Sequence, residues 1–90
     1  MSKQPKQYII SCTSGTFTSR TRETRPLTLA EAIKYHGYTL ECGASWQHER
    51  GNKKINRNPK SISALITALN NASNNSARNG VGDYYTATPA

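Results

Sequence analysis

Ile62, Leu65, Ile66, Leu69 and Ala72 recur at intervals of three and four residues, and this stripe constrains the fold more than any other feature of the chain. Residues at that spacing share one face of an α-helix. The segment from Ser61 to about Arg78 is therefore predicted to be amphipathic, with that face buried against the rest of the chain. Asn70, Asn71, Asn74, Asn75 and Arg78 fall on its other faces, and Asn79-Gly80 is the predicted end. Asn58 as N-cap and Pro59 at the first helical position are the predicted start.

The remaining elements are shorter. Tyr8-Ile-Ile-Ser-Cys-Thr13 has the β-branched and aromatic content of a strand. Ser14-Gly15 signals a turn, and Thr16 to Arg22 carries further strand composition, so the two runs read as a β-hairpin. Arg22 lies on the second strand, and Arg25 lies just beyond it in a loop. Thr28-Leu-Ala-Glu31 is a capping box that opens a helix carrying Leu29, Ala32, Ile33 and His36, with Gly37 as its predicted stop. Tyr38 to Trp46 fits both alternation and helical spacing, and a short second helix is the preferred reading. Asp83 to Thr88 is predicted to return as a strand beside the hairpin. The expected fold is α+β, a small antiparallel sheet packed against two or three helices.

Ninety residues make one domain, 1–90, in which residues 1–6 read as a flexible tail. A chain of this size buries only about two-thirds of its unfolded surface, so association into a homo-oligomer would help it. No stretch is long and apolar enough to span a membrane, and the polar N-terminus lacks the core of a signal peptide. The expectation is a cytoplasmic protein in which Cys12 and Cys42 stay reduced.

Charge is the guide to partners. The formal net charge is +7, and Arg50, Lys53, Lys54, Arg57 and Lys60 stand together before the last helix. No acidic residue occurs between Arg50 and Gly82, so nothing in that stretch neutralises them. A partner carrying phosphate is expected, whether a nucleotide, a nucleic acid or a lipid head. Arginine can grip phosphate with two hydrogen bonds, and asparagine offers a donor and an acceptor together to an adenine edge. Tyr38, Trp46 and Tyr85 are candidates for stacking on a base.

Catalysis has little support. Glu23, Glu31, Glu41, Glu49 and Asp83 are the only acids, and no pair sits at a spacing that demands acid–base work. Cys42 could be drawn with His36 or His48 as nucleophile and base, but packed or surface roles are far commoner for such residues. Cys12, Cys42, His36 and His48 lack the paired spacing of a zinc site. The expectation is no enzyme, no metal and no cofactor.

The blocks Gly37-Tyr-Thr-Leu-Glu-Cys-Gly-Ala-Ser-Trp46, Asn52-Lys-Lys-Ile-Asn-Arg-Asn-Pro-Lys60 and Ala64-Leu-Ile-Thr-Ala-Leu-Asn-Asn71 resemble small phage proteins, in particular the first-described class of Thoeris anti-defence proteins. The resemblance covers about half of the chain. It implies a sponge, which binds a cyclic ADP-ribose type of immune signal and keeps it intact, assembled as a symmetric oligomer. In that reading Lys54, Arg57, Asn58 and Lys60 bind phosphate, Arg22 or Arg25 joins them from the hairpin, and Asn71 and Arg78 contact base or ribose. The alternatives are a small basic DNA- or RNA-binding regulator and a module that blocks a host enzyme through its basic face.

Overall fold

The computed structural model describes residues 6–14, 21–76 and 83–90. In chain order these form β1 (Gln7–Thr13), β2 (Thr21–Glu23), β3 (Leu27–Thr28), α1 (Leu29–Tyr35), α2 (Gly37–Ser45), α3 (Ile62–Ser76) and β4 (Tyr84–Pro89). All strand pairs are antiparallel and all involve β1. The α+β expectation holds, including the C-terminal strand beside the hairpin and a helix at 37–45.

β4 pairs along one edge of β1, from Tyr8↔Pro89 to Thr13↔Tyr84. β2 and β3 lie end to end on the other edge. From Ser11↔Glu23 to Tyr8↔Leu27, β1 moves three residues while its partner moves four. That extra residue is a β-bulge. Thr24 bridges the gap: its N–H donates to the Ile10 carbonyl at 3.0 Å, and its Oγ1 accepts from the Ile10 N–H at 3.1 Å. Pro26, which has no N–H to offer a ladder, sits where the pairing lapses. The register closes at Thr13↔Thr21, and Gly15 of the expected Ser14-Gly15 turn lies outside the described residues.

Alternation sends Ile10 and Cys12 to the helical side of the sheet, together with Leu27, Tyr85 and Ala87 from the neighbouring strands. There they meet Ala32 of α1, Leu40 of α2 and Leu65, Ala68, Leu69 and Ala72 of α3 in one core. The Thr28–Glu31 capping box forms as expected. Gly37 does not stop the chain. Helix α1 ends at His36, and Gly37 begins α2 without a left-handed φ. Only Gly51, at φ +86°, has a positive φ among the described residues, at the turn that opens the basic loop.

Helix α3 departs from expectation at its start and in the face that carries Asn75, while the expected end, Asn79-Gly80, lies outside the described residues. Asn58 and Pro59 do not start it. The Asn56 side chain accepts the Asn58 N–H at 3.0 Å in a local turn, and Pro59 is buried ahead of the helix. Ser61 is the cap instead, its Oγ accepting the Ala64 N–H at 3.1 Å. At the other end Asn75 is not on a polar face. It continues the buried line Leu65–Ala68–Ala72 and is itself 8% exposed.

Two asparagines tie α3 to its neighbours. Asn70 Oδ1 accepts the Tyr85 N–H at 2.7 Å and Nδ2 donates to the Tyr85 carbonyl at 3.1 Å, so the side chain occupies the outer edge of β4 as a strand would. Asn75 binds the segment after α2. Five residues turn a helix by about 140° beyond a full revolution, which is why the two amides reach different sides of α3.

Candidate ligand-binding cavity and basic loop

A cavity of about 280 Å³ lies on the helical side of the sheet, beyond the C-terminal end of α1. Strand register builds its floor. Cys12 faces Arg22 on β2 and Tyr85 on β4, so cation, thiol and phenol form one cross-strand row. His36, which ends α1, stands beside this row with its ring edge-on to Tyr85 at 5.7 Å between centroids. Tyr35 meets His36 edge-on at 4.9 Å and is 63% exposed. Asp83, just before the last strand, Ser14, Glu23 and Thr24, at the bulge, complete the polar lining.

The buried groups of this cavity are held neutral. Burial pushes the His36 imidazole down from its ordinary value. Its Nε2 has no hydrogen-bond partner among the described residues. Burial, and then the adjacent Cys12, push the Tyr85 hydroxyl up to about 12. The Cys12 thiol is raised by burial, with Asp83 adding to the shift while Tyr85 and Arg22 oppose it. A raised thiol is a packing group with a weak donor rather than an activated nucleophile. The formal charges at the cavity are those of Arg22, Glu23 and Asp83. Among the described residues no three of His, Cys, Asp and Glu are grouped to hold a metal ion.

The residues expected to bind ligand do not gather in one place. Arg22 lines the cavity. Arg25 is exposed beside the bulge, where its charge helps lower the Glu31 carboxyl. Lys54, Asn58 and Lys60 are exposed on the loop that precedes α3, and none of them lines the cavity. Arg57 is held by Glu41 of α2, with Nη1 donating to both carboxylate oxygens at 3.0 Å. Asn71 is half-buried in α3, and Arg78 lies outside the described residues.

Cys12, His36 and Tyr85 meet in a way the sequence does not reveal. The alternation Ile10–Cys12 and the returning strand were both readable, but which residue of that strand faces Cys12 depends on a register that no local pattern specifies. Cys42, the cysteine considered with His36, does not line this cavity, and its partner one helical turn away is Tyr38. Cys12 and Cys42 are both free and half-buried. Among the described residues no helix is long and apolar enough to cross a membrane. Compared with protein-family models, with curated proteins and with solved structures, the chain gives no match.

Proposed function

We propose that this protein binds a compact phosphorylated nucleotide in the cavity beside His36 and holds it intact, as a phage anti-defence sponge for a cyclic ADP-ribose type of signal in the bacterial cytoplasm. The observation that carries the reading is the convergence of Arg22, Asp83, Tyr35 and His36 on one cavity. A guanidinium suits a phosphate, a carboxylate suits a ribose diol, and an exposed phenol offers a face to a base. The volume, about 280 Å³, lies near the lower end of small-molecule sites. A sponge needs retention and no reacting group, and a protonated thiol beside a neutral imidazole is compatible with that.

Assembly into a homo-oligomer belongs to the same proposal. The sheet face opposite the helices carries Ile9, Thr13, Tyr84 and Thr86, none of which belongs to the core. Tyr84 is 62% exposed there.

The test is incubation of the purified protein with separate pools of cyclic ADP-ribose isomers, cyclic dinucleotides and cyclic trinucleotides. Free ligand is measured by chromatography before and after heat denaturation. The expected result is depletion of one cyclic nucleotide and its full, intact recovery on heating. Arg22→Ala is expected to weaken that binding more than tenfold with an unchanged melting temperature. Recovery of a cleaved product, or no depletion from any pool, overturns the proposal.

A further inference from the structure

We propose that the basic loop, residues 50–60, together with Tyr38 forms a second binding surface, separate from the cavity, that takes the backbone and bases of single-stranded nucleic acid. Arg50, Lys53, Lys54 and Lys60 are exposed, and none forms an ion pair with any described residue. Lysines on a floppy loop would lose much of their binding energy to ordering. This loop is not floppy in its hydrogen bonding. Asn75 binds the Lys53 N–H at 3.0 Å and the Lys53 carbonyl at 2.7 Å. Gln47 Oε1 accepts the Ile55 N–H at 3.1 Å, and the Ile55 side chain is buried in the core. The cations thus stand on a backbone fixed at both Lys53 and Ile55.

Tyr38 supplies the aromatic component. It is 83% exposed, the most exposed large hydrophobic side chain among the described residues, and it lies one helical turn before Glu41 on α2. Glu41 is the residue that holds Arg57, so an uncovered ring and a cationic loop share one side of α2. Bases have stacking faces to offer such a ring only when they are unstacked, which selects single strands over duplex. From Lys53 to Lys60 the chain spans at most about 25 Å, the length of a few nucleotides.

Glu41 has a specific part in this surface. The Arg57–Glu41 pair is exposed on both sides, 56% and 63%, and such pairs contribute little to stability. A phosphate can displace the carboxylate, and until it does Glu41 keeps one cation out of use. Removing the carboxylate therefore strengthens binding instead of weakening it.

The experiment is fluorescence anisotropy of a labelled single-stranded 20-nucleotide DNA of mixed sequence, titrated with the full chain across a range of salt concentrations. Three to four phosphate contacts are expected to give a slope of log affinity against log salt of about −2 to −3. Lys53→Ala with Lys54→Ala is expected to weaken binding at least fivefold and make the slope shallower by about 1.4. Tyr38→Ala is expected to weaken it about fivefold with the slope unchanged. Glu41→Gln is expected to strengthen it about threefold, and Lys34→Ala, which removes one cation on α1 where the loop variant removes two, to leave it within twofold. All of these side chains are exposed, and circular dichroism melts confirm that each variant folds. No binding at the lowest salt, equal losses from the Lys34 and loop variants, or duplex bound as tightly as the single strand would overturn the proposal.

Discussion

Asn75 holds Lys53 by both of its backbone groups: Oδ1 accepts the Lys53 N–H at 3.0 Å, and Nδ2 donates to the Lys53 carbonyl at 2.7 Å. The second amide hydrogen goes to the Gly43 carbonyl at 3.1 Å. One buried side chain near the end of α3 thereby fixes the loop and the C-terminal part of α2 at once. Asn70 makes the same kind of double bond to Tyr85 of β4. The asparagines of α3 are in this respect structural clasps, and their poor helix propensity is offset by the backbone groups they satisfy.

Asn75→Ala leaves the Lys53 N–H and the carbonyls of Lys53 and Gly43 without this partner. Water can reach the exposed Lys53, so the cost falls below three full desolvation penalties. The expected destabilisation is about 2–4 kcal/mol, read from urea unfolding. Asn75→Asp replaces a donor with a carboxylate facing two carbonyl oxygens, and at pH 7 its cost is expected to be larger than that of alanine.

Gly43 lets α2 and α3 approach. A Cβ at this position would run into the Cα of Ala72, which is backbone, and its Cβ, which is fixed to that backbone, so neither can swing aside. Gly43→Ala would improve helix propensity on an open surface, yet here it is expected to destabilise by about 2 kcal/mol or more through overpacking. A melting temperature equal to or above that of the parent protein would refute this reading of the helix contact.

His36 makes stability depend on pH in the mildly acidic range. Burial favours its neutral form, so its folded pKa lies below the unfolded value of 6.5. The unfolded chain then binds the proton more readily. The contribution is fully present above pH 6.5 and is lost as the pH falls through the folded pKa. Melting temperature is expected to drop between pH 7 and pH 5, and His36→Phe is expected to flatten that drop. An identical profile for the two proteins would exclude His36 as its source.

The capping box acts at lower pH. The Glu31 carboxyl is held below its ordinary value of 4.5, first by the Thr28 backbone N–H, then by the Thr28 side chain, with Arg25 helping. Its stabilising effect is present above pH 4.5 and is lost as the pH falls through the depressed pKa. Glu31→Gln is expected to remove that part of the acid dependence. Thr28→Ala, which deletes the other half of the box, is expected to cost about 1 kcal/mol.

Much of the architecture was legible because it rests on local patterns. The apolar stripe of α3, the capping box at Thr28 and the β-branched run of β1 each depend on neighbours within a few residues, and each formed as read. The misreadings have a different origin. Asn58-Pro59 is a good helix start in isolation, but in the fold the Asn58 N–H is held by the Asn56 side chain, Pro59 is buried, and Ser61 takes the cap. Asn75 looks like a surface residue until the Lys53 and Gly43 backbones arrive beside it. Arg57 looks like a free phosphate ligand until α2 brings Glu41 to it.

By itself, then, the sequence determined the type and order of the elements, apart from the short strand β3 and from α2, whose segment fitted both periods, and a positive charge concentrated before the last helix. Those follow from propensity, periodicity and composition, all of which are local. Tertiary structure alone decided the bulge at Thr24, the row Arg22–Cys12–Tyr85 with His36 beside it, and the separation of that cavity's lining from the loop cations. Register and helix packing join residues distant in the chain. The free energy that selects among such pairings is shared across the whole core, so no single segment carries it.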